Sequence, residues 1–199
     1  MGRLSVVDSV KLNLSEVLVV LAGSSAMEVD MLAQVFSGFG VRDLRRAESV
    51  DELARVVAGG VDLLVADAVM DAAGVMEVVR NLRRAPDDSR YAPVVLTTTN
   101  ASPAMLTQAR DSGVNYVVVK PLAPRVLFER LVWIAKDRRG YVDSERYVGP
   151  DRRVRTLGPP SGMAGRRAGD LSAEVGAAKE PNMSQNDIDA LMAPIRASV

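Results

Sequence analysis

Val61-Asp62-Leu63-Leu64-Val65-Ala66-Asp67 is a short, mostly apolar run that ends on a carboxylate. A run of this length, without polar alternation, reads as a strand buried on both faces. Such strands lie inside parallel sheets covered by helices. Asp67 then falls at the carboxyl end of the strand, the edge of an open α/β sheet where ligands and chemistry collect. Taken alone, an Asp in this place serves as a helix cap or turn residue more often than as a reactive group.

The flanking sequence repeats the pattern. Glu16 to Ala22, Val41 to Ala47, Pro93 to Thr98 and Tyr116 to Val119 read as four further strands. Arg42, Arg45 and Arg46 mark the second of these as an edge strand. Between them lie helical periodicities. One helix follows the Gly23-Ser24-Ser25 turn and runs to about Gly38, with Val29, Leu32, Val35 and Phe36 facing inward. Ser49 and Glu52 form a capping box ahead of Leu53, Val56 and Val57. Gly74 to Arg84 carries Val75, Val78, Val79 and Leu82 on one stripe. Ser102 caps a helix with Pro103 at its first position, and a last helix spans about Pro124 to Lys136. Strict strand–helix alternation implies a doubly wound parallel sheet with helices on both faces.

Composition narrows the chemistry. The 199 residues suit one well-buried domain and a tail. There is no cysteine and no histidine, which removes thiol nucleophiles, thiolate metal sites and any histidine-dependent triad. Basic and acidic residues balance at 25 each, so no global field favours nucleic acid or a membrane. The apolar runs are strand-sized, far below the ~20 residues of a spanning helix. The expectation is a cytoplasmic protein that is not an enzyme.

Three residues fall at the carboxyl ends of three strands: Asp67, Thr98 and Lys120, the last followed by Pro121. A carboxylate can attack phosphorus and form an acyl phosphate. A hydroxyl and an ammonium beside it would stabilise the phosphoryl oxygens. With DLLVAD-x-x-M around Asp67, PVVLTTT around Thr98 and VVVKP around Lys120, residues 16–138 resemble the CheY-like receiver domain of two-component response regulators. The resemblance implies a five-stranded CheY/flavodoxin-like sheet in the order 2-1-3-4-5. It implies Asp67 as phosphoacceptor, Thr98 as switch hydroxyl and Lys120 as phosphoryl-binding ammonium. It also implies Mg2+ held by Asp67, the Val69 backbone carbonyl and an acidic pair after the first strand.

That pair is missing. The chain reads Leu21-Ala22-Gly23-Ser24-Ser25 there, and Asp67 alone holds Mg2+ poorly. The sequence departs from the family in three other places. Asp71 replaces the usual proline after Met70, Val117 occupies the aromatic switch position with Tyr116 one residue early, and Thr99 follows Thr98 where a small residue is usual. The expected protein is an atypical receiver, phosphorylated slowly or not at all, that acts in chemotaxis-type signalling through protein contacts. The rival readings are a conventional phosphorylated single-domain regulator and a small α/β enzyme.

Residues 1–15 form an extension without a clear pattern. Residues 139–182, rich in Gly, Pro, Arg and Ser, read as a disordered linker. Residues 183–194 read as a short helical peptide with Ile188, Leu191 and Met192 on one face and a capping box at Ser184 and Asp187. SQNDIDALM resembles the segment of the flagellar motor switch protein FliM that binds activated CheY. The implied partners are a histidine kinase and another receiver, motor or chemotaxis protein, or this chain's own domain through a tail-to-domain contact. Arg146, Arg152, Arg153 and Arg155 keep open a further reading, a cyclic di-GMP effector.

Overall fold

The computed structural model describes residues 13–136, 141–144, 147–150, 153–156 and 195–198. Five strands form one parallel sheet: β1 Leu18–Ala22, β2 Asp43–Ala47, β3 Leu63–Asp67, β4 Val94–Thr98 and β5 Tyr116–Val119. Their order is β2-β1-β3-β4-β5, and every pairing is parallel. The helices between and after them are α1 Ala26–Gly38, α2 Val50–Ala58, α3 Ala72–Arg83, α4 Pro103–Ser112 and α5 Pro124–Lys136.

β3 and β4 are buried at every position, as a strand covered on both faces must be. Alternate residues feed two cores. Val20, Leu64, Ala66, Val94 and Leu96 pack with α2, α3 and α4. Val19, Leu21, Val65, Val95 and Val118 pack with α1 and α5, around Phe36, Leu127 and Leu131. Each fully buried Val, Leu or Phe contributes about 1.5–3 kcal/mol. β2 is an edge, as its arginines suggest, and most of its residues are only partly covered.

The caps explain where helices begin. Ser49 Oγ accepts from Glu52 N at 3.2 Å, while Glu52 Oε2 accepts from Glu48 N at 2.9 Å, one residue before the expected partner. Ser102 Oγ accepts from Met105 N, with Pro103 at the first position of α4. α3 begins two residues earlier than its apolar stripe suggests, because Asp71 Oδ1 accepts from Ala73 N at 3.1 Å. Asp71 is thus spent as a helix cap.

The stretch expected as a disordered linker from residue 139 opens differently. Tyr141–Asp143 (β6) and Val148–Pro150 (β7) pair antiparallel. This ribbon is fastened to the amino edge of the sheet through one buried cation. Arg83, the last residue of α3, is 1% exposed and places all five guanidinium N–H donors. It donates to the carbonyls of Gly113 (twice), Arg90 and Ala92 and to Asn115 Oδ1, at 2.7–3.1 Å. Tyr141 covers it, with the guanidinium carbon 5.3 Å from the ring centroid. The Tyr141 hydroxyl accepts from Asn115 Nδ2, and Asp143 pairs with Arg90. Gly113 caps α4 at φ +95, and a Cβ there would meet Val148 O at 2.9 Å. The ribbon escapes the sequence reading because three-residue strands carry no periodicity.

A further parallel pair joins β8 Arg153–Thr156 to β9 Ile195–Ser198. The peptide expected at 183–194, with Ile188, Leu191 and Met192, lies outside the described residues.

Candidate functional site

The carboxyl edge of the sheet brings together the ends of β1, β3 and β5. Each strand delivers one residue: Gly23 just past β1, Asp67 at the end of β3 and Lys120 just past β5. Lys120 N donates to Thr98 O at 2.8 Å and Ala68 N to Thr97 O at 2.8 Å, so the ends of β5 and β3 are tied to β4, while Gly23 N donates to Ala47 O of β2 at 3.1 Å. The Lys120–Pro121 peptide bond is cis.

Lys120 Nζ donates to Asp67 Oδ2 at 2.9 Å. The Asp67 side chain is 4% exposed and that of Lys120 14%. The other Asp67 oxygen, Oδ1, accepts from Val69 N at 3.1 Å. Asp67 therefore closes a local turn, but it does not cap α3, which Asp71 does. Its buried carboxylate faces an ammonium brought from 53 residues away, which a turn residue does not require.

The same ammonium donates to Glu28 Oε2 at 2.6 Å. Glu28 sits in the first turn of α1, where an acid is favoured by the helix dipole, and it is 43% exposed. Burial pushes the Lys120 pKa down, but the hydrogen bonds to Glu28 and Asp67 and the charges of both carboxylates outweigh it. Its pKa is raised above the ordinary lysine value.

Thr98 lies at the same edge, with its hydroxyl turned to Asn100. It donates to Asn100 O at 2.9 Å and accepts from Asn100 N at 3.1 Å. The threonines that line the cleft beside Asp67 are Thr97, which pairs with Asp67 in the sheet, and Thr99. Val69 is adjacent to Asp67 and largely exposed. The structure thus joins Asp67 and Lys120, holds the Thr98 hydroxyl on the Asn100 backbone rather than on either of them, and adds Glu28. The cleft encloses about 490 Å³ and is mainly apolar, with Ala22, Val29, Leu32 and Leu122 among its walls.

The site does not fit Mg2+. A Cβ built on Gly23 would lie 4.0 Å from Asp67 Cβ, so this is the position from which a second strand-end acid would face the aspartate. Glycine offers nothing there, and Ala22 before it is apolar. Both Asp67 oxygens are engaged, and Glu28 is engaged with Lys120. Among the described residues no group of three acids could hold a metal ion. An octahedral oxygen site has too few ligands here.

Known proteins share this fold. Residues 19–132 match the response regulator receiver domain family. The chemotaxis protein CheY1 of Helicobacter pylori is 30% identical over 118 residues, covering 57% of this chain and 92% of that protein. A signal receiver domain from Clostridium thermocellum superposes with a TM-score of 0.55 at 18% identity, covering 61% of this chain and 99% of that one. Chemotaxis protein CheY4 of Vibrio cholerae gives 0.52 at 22% identity, covering 58% and 97%. Receiver domains are signalling modules that interact with histidine kinases and other signalling proteins, and they typically bind Mg2+ at the phosphorylation site. Among the described residues no helix is long and apolar enough to cross a membrane. A parallel sheet in the order 2-1-3-4-5, a strand-end Asp67 paired with Lys120 and the match over 19–132 place the chain in the response regulator receiver domain family.

Proposed function

We propose that the protein is an atypical receiver in chemotaxis-type two-component signalling, with Asp67 as a slow phosphoacceptor and protein contacts as its output. The observation that carries this reading is the Asp67–Lys120 pair at the carboxyl edge, opposite a glycine where a metal-binding acid would stand. In the reaction an Asp67 carboxylate oxygen attacks the phosphorus of a phosphohistidine or acyl phosphate. A new P–O bond forms as the donor bond breaks, and the donor leaves with its electron pair. Lys120 balances part of the phosphoryl charge. Without a second strand-end acid, the divalent cation that would balance the rest has little to hold it. That is the reason to expect slow labelling.

The segment 183–194 supplies the output in this reading. Its Ile188, Leu191 and Met192 face engages a receiver, on this chain or another. Intact-mass measurement after incubation with acetyl phosphate tests the proposal. A slow adduct that vanishes in Asp67→Ala supports it. An adduct formed rapidly and only with Mg2+ would instead mark a conventional regulator. The rival cyclic di-GMP reading rests on Arg146 and Arg152, outside the described residues, and on Arg153 and Arg155 of β8.

A further inference from the structure

Lys120 carries two carboxylates rather than one. At neutral pH the two carboxylates and one ammonium leave the cluster with a net charge of −1. An acyl phosphate on Asp67 makes it more negative. In a receiver with a filled cation site, the metal answers that charge. Here the positions that would hold it are Ala22 and Gly23, and the positive charge in contact with Asp67 is Lys120, which Glu28 already holds at 2.6 Å.

We infer that Glu28 is an intramolecular brake on phosphorylation of Asp67: it consumes the Lys120 charge that the phosphoryl group needs and repels the incoming anion. This rests on Asp67 being the phosphoacceptor. The brake acts through charge, not by exhausting donors, since an ammonium has three N–H groups and the two carboxylates use two. Glu28 is also placed to release. It is 43% exposed, whereas Asp67 is 4% exposed. It projects from the first turn of a helix whose cap residue, Ser25, makes no side-chain cap bond. A partner that supplies a cation to Glu28 would free Lys120 without disturbing the Asp67 pocket. A signalling protein with a basic contact surface on the α1 side would therefore accelerate the reaction.

The test compares acetyl phosphate labelling of the full chain, without divalent cations, for wild type, Glu28→Gln, Glu28→Asp and Glu28→Gln/Asp67→Ala. Initial rates are read by intact mass, and the Lys120 titration is followed by carbon NMR at Cε. Glu28→Gln should label about tenfold faster than wild type, a barrier lower by about 1.4 kcal/mol. The Lys120 pKa should fall in parallel. Glu28→Asp, which keeps the charge on a shorter stem, should stay near wild type. Loss of the adduct in the double variant confirms the site. Equal rates in wild type and Glu28→Gln, or a slower Glu28→Gln, overturn the brake while leaving Asp67 as phosphoacceptor. No adduct in any variant, with or without added Mg2+, overturns the phosphoacceptor reading, and the brake with it; an adduct that appears only when Mg2+ is added overturns the brake alone.

Discussion

The two edges of the sheet each hold a sheltered cation, and they use it in opposite ways. At the amino edge Arg83 meets only neutral acceptors: three carbonyls, an amide oxygen and a tyrosine face. At the carboxyl edge Lys120 meets two carboxylates. Burial lowers the Arg83 pKa, with Tyr141 and Tyr147 pulling against it. At Lys120 the carboxylates outweigh burial and the pKa is raised. A rigid guanidinium fork suits fixed carbonyls, because every donor direction can be filled. A point charge on a flexible stem suits a site whose anions change. The first arrangement stores stability; the second leaves charge available for exchange.

The comparison breaks if Arg83 proves dispensable. Arg83→Ala strands the carbonyls of Gly113, Arg90 and Ala92 in the interior and should cost about 3 kcal/mol or more. Urea denaturation measures it, and a loss below about 1 kcal/mol would mean that water replaces the guanidinium. Gly113→Ala should cost about 2 kcal/mol, because φ +95 disfavours a side chain and the new Cβ crowds Val148 O and the Arg83 stem. The ribbon should loosen with it, visible as faster amide exchange at Val142 and Val148.

The carboxyl edge should give the smallest change and a different pH dependence. The Lys120 contribution, about 1 kcal/mol, should be fully present below the ordinary lysine pKa of about 10.4 and lost as pH rises through the raised folded-state value. The stability difference between wild type and Lys120→Met, followed from neutral pH upward, should shrink only above about pH 10.4. A difference that stays flat through the alkaline range would mean that Lys120 acts by packing rather than charge.

Much of the fold could be read from the chain, because buried parallel strands are short, apolar and regularly spaced. Tyr116–Val119 and Pro124–Lys136 lie where the sequence sets them. The first strand is shorter than Glu16 to Ala22, beginning at Leu18, where its amide donates to Asp62 Oδ2. Glu28 was not legible. An acid in the first turn of a helix looks like an ordinary dipole partner, and its lysine is 92 residues away. The usable signal was indirect: a retained Lys120 beside a strand end stripped of acids needs another counter-charge. Arg83 was hidden among Arg80 and Arg84 as one more basic residue at a helix end. Yet it lies four and eight residues from Val79 and Val75, on the buried stripe, where no solvated arginine belongs.

The ribbon also sets where the rest of the chain is moored. α5 carries the backbone away from Asp67 and down to the opposite pole, and the Arg83–Tyr141 and Arg90–Asp143 contacts pin it there through Pro150. Any later segment starts about 17 Å, the length of a five-residue strand, from the chemistry it would sense. The ribbon and the phosphorylation cleft therefore stand at opposite ends of the same strands, and a surface docked at one leaves the other open.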